Sequence, residues 1–461
     1  MSVLRPILIS GLLLGGACGS LDGGNQAPPQ AAIYCNSDVD CPTGNICQGN
    51  FCQTGSATCM GAGAACQPAN ACHTGVISCA TGAAACTDTG HPDTTMNGKS
   101  CGSGQLCASG VCTASTAGAH LPFPQVTDHG GPVLDAPQLV TITFDGYRFR
   151  TDVEAYGDWI VASSWLTTVG ADYGVGAGRH LHKIHLPASS LPSTSLTDMQ
   201  LQTWLQSQLG KTVPAPGTGL PLYLIYLPTG TTVTQHSGQA SCQAFLGYHG
   251  EAVKGTQSLL YAALPDCAGP PGQTDLQGLE ITVSHEIIEA ATDPQHATQT
   301  YTILDAQSPW STVPGEVGDL CIGASMYADG SYVAQRIWSN AAAAAGGDPC
   351  IPVSGAPYAN ASPRSDGFLL AEAGASVSLT LTGWETAPTG SWALAAQPAF
   401  TSGFTAGFAL DKTSLKAGET VTATFTIPAG TPSGYCSAFL VTSSFDSFQT
   451  YGLWPVGVCV P

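Results

Sequence analysis

Cysteines dominate the first quarter of this chain, and twelve of the nineteen lie between Cys35 and Cys112. Few large apolar side chains accompany them, so this segment cannot build a hydrophobic core and must be held together by disulfides. Disulfides persist in oxidising compartments, and almost none of the cysteines have the CxxC spacing of zinc ribbons. The sequence therefore predicts a disulfide-rich module in a protein exported from the cytoplasm.

The cysteine-rich segment contains a repeat. Cys41–Cys52 (CPTGNICQGNFC) and Cys101–Cys112 (CGSGQLCASGVC) have the same cysteine spacing. The pattern resembles the small cysteine-rich repeats near the N-termini of secreted proteins and lipoproteins of myxobacteria. We interpret the module as a rigid stalk or a surface-interaction element without chemistry of its own.

The first eighteen residues predict an export signal. A positive charge at Arg5 precedes the apolar stretch Ile7–Leu14 and a run of small residues before Cys18. The stretch is too short to span a membrane. Small residues directly before a cysteine resemble the lipobox of bacterial lipoproteins, and lipidation of Cys18 would leave an even number of cysteines for disulfides. We expect a signal peptide over residues 1–18 and an outer-membrane or cell-surface lipoprotein, with simple secretion as the alternative.

The charge balance excludes one class of partner. The chain has 12 Lys and Arg residues against 31 Asp and Glu residues, a formal net charge of −19. A surface of this sign repels phosphate backbones, so nucleic-acid binding is not expected. No stretch after Cys18 is apolar enough to cross a bilayer, so a lipid anchor would be the only membrane contact. The sequence leaves the oligomeric state open.

Composition shifts along the chain predict a multidomain protein. A Gly/Pro/Gln-rich linker over 19–33 precedes the cysteine-rich module, and a second linker over 114–127 follows it. Helical and strand patterns then alternate over 128–353, which indicates an α/β or α+β domain. Thr/Ser/Val alternation with regular turn residues over 354–461 predicts an all-β, Ig-like sandwich. The tryptophans of this last part are expected in its core, although they could instead stack on sugars.

The segment Thr274–Pro294 predicts a helix that carries chemistry. Thr274 and Gln277 fit a capping box, and apolar residues recur at helical spacing. His285 and Glu289 are four residues apart and therefore project from one face of the helix. In zinc peptidases of the HExxH type, two residues at this spacing bind the metal, and the intervening glutamate is the general base. Here the pattern is HEIIE, so a carboxylate replaces the second histidine.

A third metal ligand has to come from another part of the chain. The turn-rich stretch GEVGDLC supplies Asp319, our preferred ligand, and Glu316, as a ligand or as a partner of one. Asp293 lies about 80° round the helix from His285, so its side chain points less directly toward the same metal ion. An oxygen-rich set of this kind would also suit Ca²⁺, whereas His285 favours Zn²⁺.

Five short motifs occur in the order seen in one known family. They are HGGPVL at 129–134, GYHG at 247–250, SHEIIEAATDP at 284–294, GEVGDLC at 315–321 and VAQRIWS at 333–339. In these motifs the chain resembles the EXORDIUM-like, plant phosphate-induced protein family and its bacterial relatives, over about residues 128–350. The resemblance implies a divergent zinc-metallopeptidase site in which His285 and Glu289 bind metal, Glu286 is the base and the turn at Asp319 completes the site. His249 matches a family histidine and is expected to contact the metal or the substrate.

Two functions follow from the sequence. The first is a zinc-dependent metallopeptidase that hydrolyses peptide or protein substrates, including cell-surface material, with Glu286 and His249 as catalytic residues. The second is a non-catalytic surface-binding or adhesion protein whose zinc or calcium is structural. A coordination position open to water would favour the first function, and a closed shell would favour the second.

Overall fold

The structure is a computed structural model. It describes residues 45–461 apart from 49–50, 55–62, 79–83, 94–99, 103–104, 109, 115–119, 218, 256, 296–297, 304, 306, 314, 354–357, 387–389, 402–403 and 446–451. The predicted signal peptide, Cys18 and the first linker lie outside the described residues. Among the described helices, none has the length and apolar character needed to cross a membrane.

The chain divides into two compact units, with the cysteine-rich module in one and residues from Ala117 onward in the other. The module consists of short antiparallel strands: β1 (Asn45–Gln48), β2 (Phe51–Thr54), β3 (Ala65–Cys66), β4 (His73–Ser78), β5 (Ala85–Pro92), β6 (Ser100–Gly102), β7 (Gln105–Ala108) and β8 (Val111–Ala114). Disulfides join Cys66 to Cys86 and Cys101 to Cys112.

The sequence repeat is also a structural repeat. The hairpin β1–β2 places Cys47 opposite Cys52, and the hairpin β7–β8 places Cys107 opposite Cys112. The same cysteine spacing therefore produces the same strand register twice. Disulfides and cysteine richness, both predicted from the sequence, are confirmed.

The second unit begins with a mixed set of strands and helices. In chain order these are β9 (Thr127–Asp128), β10 (Gln138–Phe144), α1 (Arg150–Ala162), α2 (Ser164–Gly170), β11 (Arg179–Leu186), β12 (Ser195–Thr197), α3 (Asp198–Gln208), β13 (Leu222–Tyr226), β14 (Thr232–Thr234), β15 (Tyr248–Lys254), β16 (Gln257–Leu264), α4 (Asp275–Thr292), β17 (Tyr301–Thr302), β18 (Tyr327–Asp329), β19 (Tyr332–Ala334), β20 (Ile337–Trp338), α5 (Asn340–Ala344) and β21 (Cys350–Ile351). Helices α1 and α2 are separated at Ser163, whose side chain accepts a hydrogen bond from Leu166 N and caps α2.

A five-stranded sheet of order β11-β10-β13-β16-β15 forms the centre of this part. The first four strands are parallel, and β15 runs antiparallel to β16 at one edge. Alternate residues of the inner strands face opposite sides: Leu224 packs in one apolar core with α1, α2 and α4, and Ile225 packs in the other with α3. This alternation places α4 on one face of the sheet, against β15 and β16.

The C-terminal part is a sandwich of two sheets. Its strands are β22 (Ala359–Pro363), β23 (Leu369–Leu370), β24 (Ser376–Glu385), β25 (Trp392–Thr401), β26 (Gly407–Leu410), β27 (Ser414–Leu415), β28 (Thr420–Thr426), β29 (Cys436–Ser444) and β30 (Gly452–Cys459). One sheet has the order β22-β24-β28-β26 and the other β23-β30-β29-β25-β27. The disulfide Cys436–Cys459 joins adjacent strands of one sheet, so it does not bridge the two sheets.

The sandwich shares a hydrophobic core with the α/β part. Phe123 is 1% exposed and its ring centroid lies 5.5 Å from that of Trp338, 5.8 Å from Trp384 and 5.4 Å from Trp454. Trp338 belongs to the α/β part and the other two tryptophans to the sandwich, which confirms Trp384 as a core residue. Residues 120–127, expected to be part of a linker, instead pack into this core because their apolar side chains fill the space between the two parts. The protein is therefore β-rich and multidomain, but its last two parts are stabilised together.

Candidate metal centre

Helix α4 holds three of the predicted site residues. Its capping box is formed as predicted, with Thr274 Oγ1 accepting from Gln277 N and Gln277 Oε1 accepting from Thr274 N. The helix is buried on nearly every side from Gly278 onward, which requires its polar residues to find partners. His285 Nε2 lies 3.0 Å from Glu289 Oε2, so the two predicted ligands meet across one helical turn.

The loop before β18 brings Asp319 to the same point. The Asp319 backbone N–H donates to Glu289 Oε1 over 3.0 Å, and Asp319 Oδ1 lies 3.8 Å from His285 Nε2. This approach requires glycine at position 318, because a Cβ there would lie 2.7 Å from both Glu289 Oε1 and His285 Nδ1. The GEVGDLC motif therefore supplies a carboxylate and a small residue that lets it come close.

The edge strand β15 contributes His249 from the sheet. Its Nδ1 lies 3.2 Å from Glu286 Oε2 and 3.7 Å from Glu289 Oε2. Its Nε2 lies 3.7 Å from Glu316 Oε1. The structure thus brings all six predicted site residues into one cluster, although 30 residues separate Glu289 from Asp319 and 37 separate His249 from Glu286.

Several carboxylate oxygens in the cluster have no hydrogen-bond donor among the described residues. They are Glu289 Oε2 and both carboxylate oxygens of Asp319. Both residues are buried, with 0% of Glu289 and 1% of Asp319 exposed to solvent. Burying carboxylates without partners is costly unless a cation compensates them. Ligand atoms of a tetrahedral zinc ion are about 3.3–3.6 Å apart, close to the 3.0 and 3.8 Å separations from His285 Nε2 to Glu289 and Asp319. Ligand atoms of His285, Glu286 and Glu289 also lie within 4.8 Å of one another, so this set, with Asp319 beside it, is suited to a divalent metal ion.

Burial and the closeness of the carboxylates shift the protonation equilibria of the cluster. Burial, followed by the nearby carboxylates of Glu316 and Glu286, raises the pKa of Glu289 well above its ordinary value. Burial and the Glu289 carboxylate do the same to the pKa of Asp319. For His249, burial would lower the pKa, but the carboxylates of Glu316, Glu286 and Glu289 raise it to about 10. A bound cation reverses this balance, since it favours ionised carboxylates and a neutral histidine.

Gln335 orients His285 and was not assigned a role from the sequence. Its Nε2 donates to Gly318 O over 2.5 Å, so its Oε1 is left to accept from His285 Nδ1 at 3.1 Å. The Gln335 backbone N–H is held in turn by Ser284 Oγ at 2.8 Å. These contacts place the proton on Nδ1 and leave the Nε2 lone pair facing Glu289 and Asp319. Outer contacts of this kind orient metal-bound histidines. In the sequence, the VAQRIWS motif, which contains Gln335, was the feature that could have indicated a role for this residue.

We expect Gln335→Met to weaken metal binding by about 10- to 100-fold without unfolding the protein, because the orienting acceptor is lost while a side chain of similar length remains. Competition with a chelator of known affinity measures the change. Gln257→Met, at the exposed start of β16, is the matched control and should bind metal like the parent. Unchanged affinity in Gln335→Met would show that this contact does not position His285.

Asp293, considered as an alternative ligand, has a different role. It caps the C-terminus of α4, and its Oδ1 accepts a hydrogen bond from Thr300 N at 3.1 Å. Burial, the largest cause, and the nearby Glu316 raise the pKa of Asp293 to about 6. The Asp293 carboxylate is therefore engaged with the segment that follows α4.

No family model matches the chain, and no curated protein matches it significantly. Among solved structures, it is similar in part to a nucleoside hydrolase-related hypothetical protein from Saccharophagus degradans that is associated with carbohydrate metabolism. The sequence identity is 18% and the TM-score 0.18, and the match covers 23% of this chain and 25% of that one. A likeness of this size carries no argument about fold or activity.

Proposed function

We propose that the protein is a metal-dependent hydrolase of peptide bonds, a distant relative of the EXORDIUM-like proteins. The observation that supports this most is the convergence of His285 Nε2 and the buried, undonated oxygens of Glu289 and Asp319. These three residues would hold the ion, with zinc favoured over calcium because a histidine nitrogen is among the ligands. Glu286 lies within ligand distance of His285 and Glu289, and we assign it to the reaction and not to the ion.

The other residues of the cluster have separate roles in hydrolysis. A zinc ion in such a site supplies a Lewis acid and lowers the pKa of water. Glu286 accepts the proton of the attacking water and later delivers it to the leaving amine. His249, 3.2 Å from Glu286, holds that carboxylate in place and offers a donor toward a developing oxyanion. The Glu316 side chain is 21% exposed and marks the side from which a substrate could enter.

The second candidate function is a binding or adhesion protein with a structural metal. The observation in its favour is burial, because His285, Glu286 and Glu289 are 8%, 4% and 0% exposed. Structural zinc sites are closed, whereas catalytic ones keep a position for water. The disulfides support an extracytoplasmic location under either function, and we propose a surface lipoprotein anchored through Cys18.

Metal content tests the proposal. The full chain, made in an oxidising compartment, is expected to bind zinc. The variants His285→Ala and Asp319→Asn are expected to remain folded but to lose the ion that His285 and Asp319 bind. Elemental mass spectrometry and circular dichroism give the two measurements. His180→Ala is the control. His180 lies on β11, at the opposite edge of the sheet from β15, and hydrogen-bonds Asp158 and Thr141. Calcium in place of zinc, or no metal in a folded chain, would refute the hydrolase and leave the binding protein.

A further inference from the structure

The cluster around α4 has more donor groups than one ion requires. Ligand atoms of His285, Glu286 and Glu289 lie within 4.8 Å of one another, and so do those of His249, Glu289 and Glu316. The two sets share Glu289, whose Oε2 lies 3.0 Å from His285 Nε2. Asp319 belongs with the first set, because it lies near His285. The second set includes His249 of β15 and already has three ligands without Asp319.

The contacts of His249 resemble those of a metal ligand. Its Nε2 is 3.7 Å from Glu316 Oε1, too long for a hydrogen bond and close to the separation of two ligands on one ion. Its Nδ1 faces Glu286 Oε2 at 3.2 Å. A histidine that donates one ring N–H to a carboxylate and directs the other nitrogen at a metal is the usual arrangement in metal sites. His285 has the same arrangement, with Gln335 as its acceptor.

With His249 neutral, as a metal ligand must be, charge balance also favours a second divalent ion. The cluster holds four carboxylates, on Glu286, Glu289, Glu316 and Asp319, and their ion-pair partners among the described residues are histidines only. Arg336, carried by the neighbouring VAQRIWS motif, instead pairs with Asp348. One divalent ion would leave two negative charges uncompensated at a mostly buried site, whereas two ions balance all four.

We propose that His249, Glu316 and Glu289 bind a second divalent cation, and that Glu289 is shared between the two ions. This inference rests on the proposed function for the first ion and deepens it, since the centre becomes a two-metal hydrolytic site. His249 is then a metal ligand, and the second ion takes over the role of oxyanion stabiliser that His249 has with a single ion. In such sites the ions lie about 3.5–4 Å apart and stabilise both the attacking and the leaving group. Glu316, the most exposed member of the cluster, would be a ligand of the second ion.

The test is the metal stoichiometry of the full, disulfide-bonded chain, stripped with a chelator and reloaded with zinc. About two ions per chain are expected in the parent, and about one in Glu316→Gln and in His249→Ala. Glu316→Gln is the decisive variant because its partly exposed side chain can be changed without disturbing the core. Glu251→Gln, on the same strand as His249 but bonded to Ser258 Oγ, is the control and should keep both ions.

Manganese loading gives a readout that does not depend on activity. Two adjacent Mn²⁺ ions give a spin-coupled electron paramagnetic resonance spectrum, and Glu316→Gln should convert it to that of an isolated ion. A single ion in the parent, and the same single ion in Glu316→Gln, would overturn the second site and assign the extra positive charge to a protonated His249. If the parent with its single ion still hydrolysed peptides, the proposed function would stand. Two ions without hydrolysis would instead refute the proposed function alone, and a metal-free folded chain would refute both.

Discussion

Replacing Glu286 with glutamine is expected to reduce peptide hydrolysis by about 10²- to 10⁴-fold, the range that a general base contributes. The amide keeps the size of the side chain but cannot accept the proton of the attacking water. Metal content and unfolding midpoint should stay close to those of the parent, since Asp319, Glu289 and His285 are unchanged. Cleavage of a mixed peptide library, followed by mass spectrometry, measures the loss whichever peptide sequence the enzyme prefers.

Glu280→Gln is the matched control for this change. Glu280 lies on the same helix, is buried, and accepts a hydrogen bond from Val333 N through Oε2. A glutamine can still accept that bond, so turnover should remain near the parent value. Full activity in Glu286→Gln would exclude Glu286 as the base. Equal losses in both variants would show that any carboxylate change in α4 disturbs the site.

Phe123→Ala is expected to destabilise the whole second unit, by roughly 3–5 kcal/mol, as for other buried phenylalanines. Its ring contacts Trp338 in the α/β part and Trp384 and Trp454 in the sandwich, so a cavity there weakens both parts together. Denaturant unfolding followed by tryptophan fluorescence measures the change. Tyr435→Ala, at a side chain 38% exposed, should shift stability by only about 0.5 kcal/mol.

The shared core also predicts cooperative unfolding. The α/β part and the sandwich should unfold in one transition in the parent, because Trp310 and Phe123 pack directly against Trp454. Two separate transitions, with only one shifted by Phe123→Ala, would show that the parts fold independently. In that case the aromatic contacts would be a weak interface and not a common core.

Local features of the site were predictable. The capping box at Thr274, the helical phase of His285 and Glu289, and the buried strands depend on residues close together in the sequence. The disulfides Cys242–Cys267 and Cys321–Cys350 likewise join cysteines that lie near each other in the sequence, 25 and 29 residues apart. Periodicity and capping are short-range effects, so a single sequence carries enough information to locate them.

Other features depended on long-range packing. Gln335 lies 50 residues from His285, and neither helical phase nor composition distinguishes it from other glutamines. The need for glycine at position 318 arises only when its loop is pressed against α4. The predicted linker over 114–127 contains Phe123, whose burial depends on tryptophans from two distant parts of the chain.

The sequence by itself determined that this chain has a disulfide-rich module, a helix with His285, Glu286 and Glu289 on it, and a β-rich C-terminal part. Tertiary structure alone decided that β15 joins the sheet at the edge beside α4, and with it the distances at which His249, Glu316 and Asp319 approach the helix. It also decided that the last two parts share one core. The reason is physical: hydrogen-bonded turns and side-chain periodicity act between neighbours in sequence, whereas the compensation of buried charge and the filling of a core depend on which distant segments pack together.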